Sequence, residues 1–167
     1  MASKLKLSTD PAFTPATGLD RKAYAEVAEA LGPVLADSYQ LFIKTQGVHW
    51  NTHGANFYGL HKLTQEQYED LYAAIDEIAE RIRALGATAP ASYTNYGRMS
   101  AIQDAESEGD ANSQVETLVR DNETLCRTLR KALEVAEKHD DVVTEDMLTE
   151  RLARHEQNGW MLRMILA

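Results

Sequence analysis

Apolar side chains return three and four residues apart along four long stretches of this chain. In the stretch 57–85, Phe57, Leu60, Leu71, Ile75, Ile78, Ile82 and Leu85 fall on one stripe, which predicts an α-helix with a single buried face. Ahead of it, Tyr24, Val27, Leu31, Val34, Leu35, Tyr39 and Phe42 predict a helix from Asp20, a favourable N-cap, to about Thr52. Gly32-Pro33 lies inside that helix and predicts a kink. Behind the central stretch, Val115, Leu118, Leu125, Leu129 and Leu133 mark a third helix over about 112–138. After His139-Asp140-Asp141, Thr144 is a candidate cap for a fourth helix, with Met147, Leu148, Leu152, Trp160 and Met164 as its apolar positions. The turn chemistry of Thr52-His53-Gly54-Ala55-Asn56 folds the first two helices into a hairpin. The connection after Gly86, with Pro90 and Gly97, is long enough to carry structure of its own. Residues 1–19, rich in Ser, Thr, Pro and Ala, read as a mobile tail, and 20–167 as one all-α domain.

Composition narrows the class. A chain of 167 residues with 44% apolar residues can bury one full core. No apolar run reaches the eighteen or so residues of a membrane span, and the N-terminus lacks the apolar core of a signal peptide, so the expected location is the cytoplasm, with no membrane partner. The single Cys126 sits among Leu118, Leu125 and Leu129, which reads as a small core residue rather than a reactive thiol. A net charge of −9 favours cations over bare DNA as partners.

The chemistry-bearing residues gather around the hairpin. His49 and His61 lie equally far from Ala55, so a turn there sets them opposite each other. At about 100° per residue, His61, Gln65, Asp76 and Glu80 share an arc beside the apolar stripe of the second helix. At 1.5 Å rise, however, fifteen residues place Asp76 roughly 22 Å from His61, beyond the reach of one ion. A second copy resolves this. The midpoint between the 61/65 and 76/80 pairs falls at Asp70/Leu71, so two copies of this helix crossing antiparallel there bring 61/65 of one against 76/80 of the other, in a two-fold dimer with two equivalent sites. Histidines and carboxylates with open positions suit Fe(II), Mn(II) or Zn(II).

The pattern His49-Trp50-Asn51, Gly54, Phe57, Leu60-His61, Tyr68, Asp76, Ile78-Ala79-Glu80-Arg81, with His155-Glu156-Gln157-Asn158-Gly159-Trp160-Met161-Leu162-Arg163 near the end, resembles the Dps proteins, the miniature branch of the ferritins. The resemblance implies a ferritin-like four-helix bundle with a short helix in the connection, placed near 98–103 and lying across the dimer. It also implies a hollow shell of twelve subunits and ferroxidase centres between subunits, where His49 and His61 of one copy face Asp76 and Glu80 of its neighbour. Hydrogen peroxide is then the usual oxidant of Fe(II), and the Fe(III) product is stored in the cavity, shielding DNA and cell from hydroxyl radical. Trp50 becomes an electron donor near the iron. Lys4 and Lys6 become DNA-binding residues of the tail, the basis of an alternative role in DNA compaction within the nucleoid. One position departs: four residues after the second histidine the family has Asp or Glu, and this chain has Gln65, which removes a negative charge and a bridging ligand. Glu66, about 100° round the helix, does not replace it, although it is a candidate for mineral nucleation inside the shell. Asp141 and Asp146 are candidates for a pore that draws iron inward. His53 reads as a surface histidine.

Other chemistries lack their residues. None of the five histidines has Glu three positions before it, which excludes the helix-borne di-iron motif of ordinary ferritins. The zinc-protease pattern and the glycine-rich phosphate loop are also absent. A shell with a weakened centre that holds zinc or little iron is the third reading.

Overall fold

The computed structural model describes residues 5–103 and 109–167. Four long helices and one short one carry nearly all of it: α1 (Arg21–Asn51), α2 (Phe57–Ala84), α3 (Tyr93–Met99), α4 (Ala111–Lys138) and α5 (Val142–Leu166). The long helices pair as two hairpins, α1 with α2 and α4 with α5, and the hairpins join chiefly through α1 against α4. This is a ferritin-like four-helix bundle, with α3 packed on α1.

Leu31, Leu35, Leu41, Leu60, Leu71, Ile78, Ile82, Leu118, Leu125, Leu129 and Leu148 are fully buried and form the centre of the core. Asp20 caps α1 as expected, its carboxylate accepting from Ala23 N at 2.7 Å. Pro33 lies within α1 without ending it. Between α1 and α2, Gly54 adopts φ +96°, a backbone conformation that costs glycine little and lets the chain reverse in five residues.

Several elements differ from the sequence-based expectation. The short helix spans Tyr93–Met99 rather than 98–103, because Ser92 caps it and Asp37 ends it. The Asp37 carboxylate, fully buried on α1, accepts from Ser100 Oγ (2.6 Å), Ala101 N (2.7 Å) and Ile102 N (3.3 Å), and from Thr128 Oγ1 on α4 (2.6 Å). Those amides are thereby held out of helical pairing. At the start of α5 the cap is Asp141, not Thr144, which is buried inside the first turn and donates its hydroxyl to Asp141 at 2.7 Å. Phe57, Trp160 and Met164, expected in the core, are 43%, 55% and 56% exposed on the subunit.

The N-terminal segment is docked where composition suggested a free tail. Leu5 N donates to Glu29 on α1 (2.6 Å), Ser8 N to Gly86 O (2.9 Å) and Thr17 N to the Tyr24 hydroxyl (2.9 Å). Leu5 and Leu7 pack against the core. Gly86, at φ +84°, lies so close to Phe13 O and Pro15 that a β-carbon would meet them at 2.8 and 2.9 Å. Among the described residues no helix is long and apolar enough to cross a membrane.

Candidate metal centre

The α1–α2 hairpin brings His49 and His61 face to face. Their rings stack at 3.8 Å between centroids and 16° between planes. Each holds the other through the backbone: His49 Nδ1 lies 2.8 Å from the His61 carbonyl oxygen, and His61 Nδ1 lies 2.9 Å from the His49 carbonyl oxygen. A carbonyl oxygen only accepts, so both Nδ1 atoms carry a proton, which in the neutral tautomer leaves Nε2 as the atom with the lone pair. This reciprocal lock fixes tautomer and ring orientation together, which is how metal-ligating histidines are commonly held.

Other groups support the pair. Thr64, fully buried, donates to Leu60 O at 2.7 Å and sits 3.5 Å from His49 Nδ1. Phe57 stacks on the outer face of His61 at 5.1 Å. Tyr68 meets the His49 ring edge-on at 5.1 Å and is itself packed against Phe42 at 6.2 Å. Thr64 and Tyr68 were given no role by sequence reasoning. Their spacing of three and seven residues from His61 on one helix face was the available signal.

Asp76 and Glu80 lie on α2 as predicted, exposed and well along the helix from the histidine pair. Among the described residues no three His, Cys, Asp or Glu side chains of one subunit converge on a common point. Gln65 is already engaged, its Oε1 accepting from Lys62 at 3.3 Å and its Nε2 donating to Glu69 at 2.9 Å. Trp50, beside His49, is 67% exposed, as are Tyr58 (73%) and Tyr72 (71%). Glu66, Asp146, Lys6 and His53 are exposed, and Lys4 lies outside the described residues.

Asp141, a candidate for the pore, is engaged inside the subunit. It is 3% exposed and receives two bonds from Arg81 Nη2, at 2.6 and 2.8 Å, while Arg81 Nε donates to Thr144. Burial alone would raise its pKa, but Arg81 and Thr144 outweigh it and hold the carboxyl below its ordinary range. Cys126 is half-buried, and burial first, then nearby Glu156, pushes its thiol up to about 11. A thiol so held is almost wholly protonated near neutrality, in agreement with an inert residue.

His155 on α5 forms a separate buried group. Its Nδ1 donates to Asn122 Oδ1 on α4 (2.9 Å) and its Nε2 accepts from Arg151 (3.3 Å), which also holds Asp70 on α2 at 2.6 Å. Burial and the Arg151 charge depress its pKa to about 3, so the ring stays neutral. The result is a polar tie across three helices rather than a ligand set.

A ferritin-like domain family matches residues 28–167. The chain is 37% identical over 141 residues to DNA protection during starvation protein 2 of Bacillus anthracis, covering 84% of this chain and 97% of that one. It is 33% identical over 140 residues to the DNA protection during starvation protein of Brevibacillus brevis, covering 84% and 94%. Among solved structures it is similar to the Dps protein of Vibrio cholerae O1, described as a ferritin-like diiron-carboxylate protein, with TM-score 0.87 and 31% identity over 95% of this chain and all of that one. Fold, hairpin chemistry and these likenesses agree: the chain belongs to the Dps family of ferritin-like proteins.

Proposed function

We propose that two copies of this protein together bind Fe(II), oxidise it, with hydrogen peroxide as the usual oxidant, and pass Fe(III) into the cavity of a closed shell of twelve subunits. The reciprocal His49–His61 lock is the observation that carries this reading. It holds two imidazoles by Nδ1 and leaves both Nε2 atoms for a ligand, and such a pair is half of an open metal site. Asp76 and Glu80 of a second copy supply the other half, since one helix cannot bend them back to its own histidines. The exposed aromatic residues along the hairpin, Trp50, Phe57, Tyr58 and Tyr72, are of the kind that a neighbouring subunit covers. The carboxylates favour the harder, more highly charged Fe(III) and so the forward redox step; zinc or manganese would occupy the same donors. Gln65, neutral and tied to Lys62 and Glu69, leaves the centre one bridging carboxylate short, so that one iron binds well and a second binds weakly.

The test is the rate of Fe(II) oxidation by hydrogen peroxide in wild type, Asp76→Ala and Gln65→Glu. Wild type should far exceed the protein-free rate and Asp76→Ala should fall to it, while Gln65→Glu should tighten the second iron. A wild-type rate equal to the protein-free rate refutes the ferroxidase, and identical iron isotherms for wild type and Gln65→Glu refute the role given to Gln65.

DNA compaction is the second reading, favoured by the exposure of Lys6 and by the names of the relatives. A net charge of −9 opposes it. Retardation of DNA by the intact assembly at low salt, lost on removing residues 1–10, would establish it.

A further inference from the structure

We propose that Tyr68 supplies the second electron that peroxide needs at a centre holding one iron, an inference that rests on the ferroxidase reading above. Reducing one hydrogen peroxide to water takes two electrons, and one Fe(II) gives one. Where two irons sit together the second provides the rest. Here Gln65 stands where the bridging carboxylate would be, and its neutral amide is already bonded on both sides to Lys62 and Glu69.

The oxidisable ring in contact with the histidine pair is Tyr68. Its ring meets His49 edge-on at 5.1 Å, while its other side rests on Phe42 at 6.2 Å. It is half-buried on the subunit, open enough for a proton to leave, and its ring, rather than that of Trp50, makes the contact with His49. That proton goes to water and not to His49, whose Nδ1 already donates to the His61 carbonyl and whose Nε2 is committed to the metal.

The step balances. Fe(II) yields one electron, and the Tyr68 phenol yields one electron and its proton. With one further proton from solvent, the peroxide O–O bond breaks to give two waters, leaving Fe(III) and the Tyr68 phenoxyl radical. The next Fe(II) to bind returns an electron, and with a proton from solvent Tyr68 regains its phenol. Two Fe(II) are thus oxidised per peroxide through a site that holds one at a time, and no hydroxyl radical is released.

The experiment loads the assembled protein anaerobically with one Fe(II) per site and mixes it with one equivalent of hydrogen peroxide. Rapid freezing and electron paramagnetic resonance report radicals, ring-deuterated tyrosine assigns them, and a spin trap reports hydroxyl radical. Wild type should give a tyrosyl signal that decays when more Fe(II) is added. Tyr68→Phe should lose that signal and raise the hydroxyl-radical adduct several-fold at unchanged Fe(II) affinity, while Trp50→Phe keeps the tyrosyl signal. A tyrosyl signal undiminished in Tyr68→Phe, or a primary radical lost only in Trp50→Phe, overturns the assignment to Tyr68 even where iron oxidation is fast. If iron oxidation does not exceed the protein-free rate in wild type, the ferroxidase reading itself falls, and this inference with it.

Discussion

Lowering the pH from 7 to 5 should weaken the fold through His155, by an amount the structure allows one to work out. The buried ring keeps its proton affinity depressed to about 3, against an ordinary 6.5. As pH falls through 6.5 the unfolded chain takes up a proton that the folded chain refuses until about 3. The unfolded state therefore binds more protons across that window, and stability is lost as pH falls. At pH 5 the two affinities differ in effect by roughly 30-fold, about 2 kcal/mol, whereas at pH 7 the same group contributes only about 0.2 kcal/mol. For a chain of this size, about 2 kcal/mol corresponds to a fall of roughly 4–8 °C in Tm. Carboxylates confuse the window little: Glu26, held at about 2 by Lys138 and His139, loses its contribution only below its ordinary 4.5. The comparison is with His155→Gln, whose amide can still donate to Asn122 and accept from Arg151 but does not titrate. Melting should be followed at one protein concentration and one scan rate, so that subunit association and irreversibility are held fixed. Wild type should lose those degrees between pH 7 and 5, and His155→Gln should lose far fewer. Equal losses in the two proteins would show that His155 is not the titrating group.

Two further outcomes follow from buried groups. Arg81→Met strips Asp141 of its bidentate partner and leaves a buried carboxylate at the N-terminus of α5, so chemical denaturation should show a loss of about 3 kcal/mol, partly restored by adding Asp141→Asn. Cys126, with its thiol at about 11, should react with a disulfide reagent far more slowly at pH 8 than a free cysteine does, and the two rates should converge in denaturant.

Much of the fold was legible because it is written in local chemistry. Asp20 set the start of α1 to the residue, and the equal spacing of His49 and His61 from Ala55 was enough to put the two rings in contact. The remainder depends on partners distant in sequence. Asp37 reaches residues 63 to 91 positions away, and Arg81 reaches Asp141 across 60, so neither the end of α3 nor the cap of α5 could be read from its own neighbourhood. The docking of residues 5–19 escaped for a related reason: Leu5 and Leu7 are only two apolar residues in a polar stretch, and their pocket is made by α1 and the α2 terminus. Phe57, Trp160 and Met164 failed differently. Periodicity identifies an apolar face, but does not tell whether the same chain or another copy covers it.

That ambiguity bears on the mechanism itself. The aromatic face around the hairpin and the carboxylates of α2 are both incomplete in one subunit, the first for want of cover and the second for want of imidazoles. In the proposed dimer a single association would satisfy both. In the proposed two-fold arrangement, the contact that buries Trp50 and Phe57 also brings Asp76 and Glu80 to the waiting Nε2 atoms. Under that proposal iron oxidation would be tied to assembly: among the described residues a lone subunit brings no carboxylate to its histidine pair, so it would hold Fe(II) weakly and would not generate Fe(III) outside the shell. Gln65 sharpens the arrangement. In the proposed centre its neutral amide lowers the charge on the histidine side, so the neighbour's Asp76 and Glu80 would supply the anionic ligands.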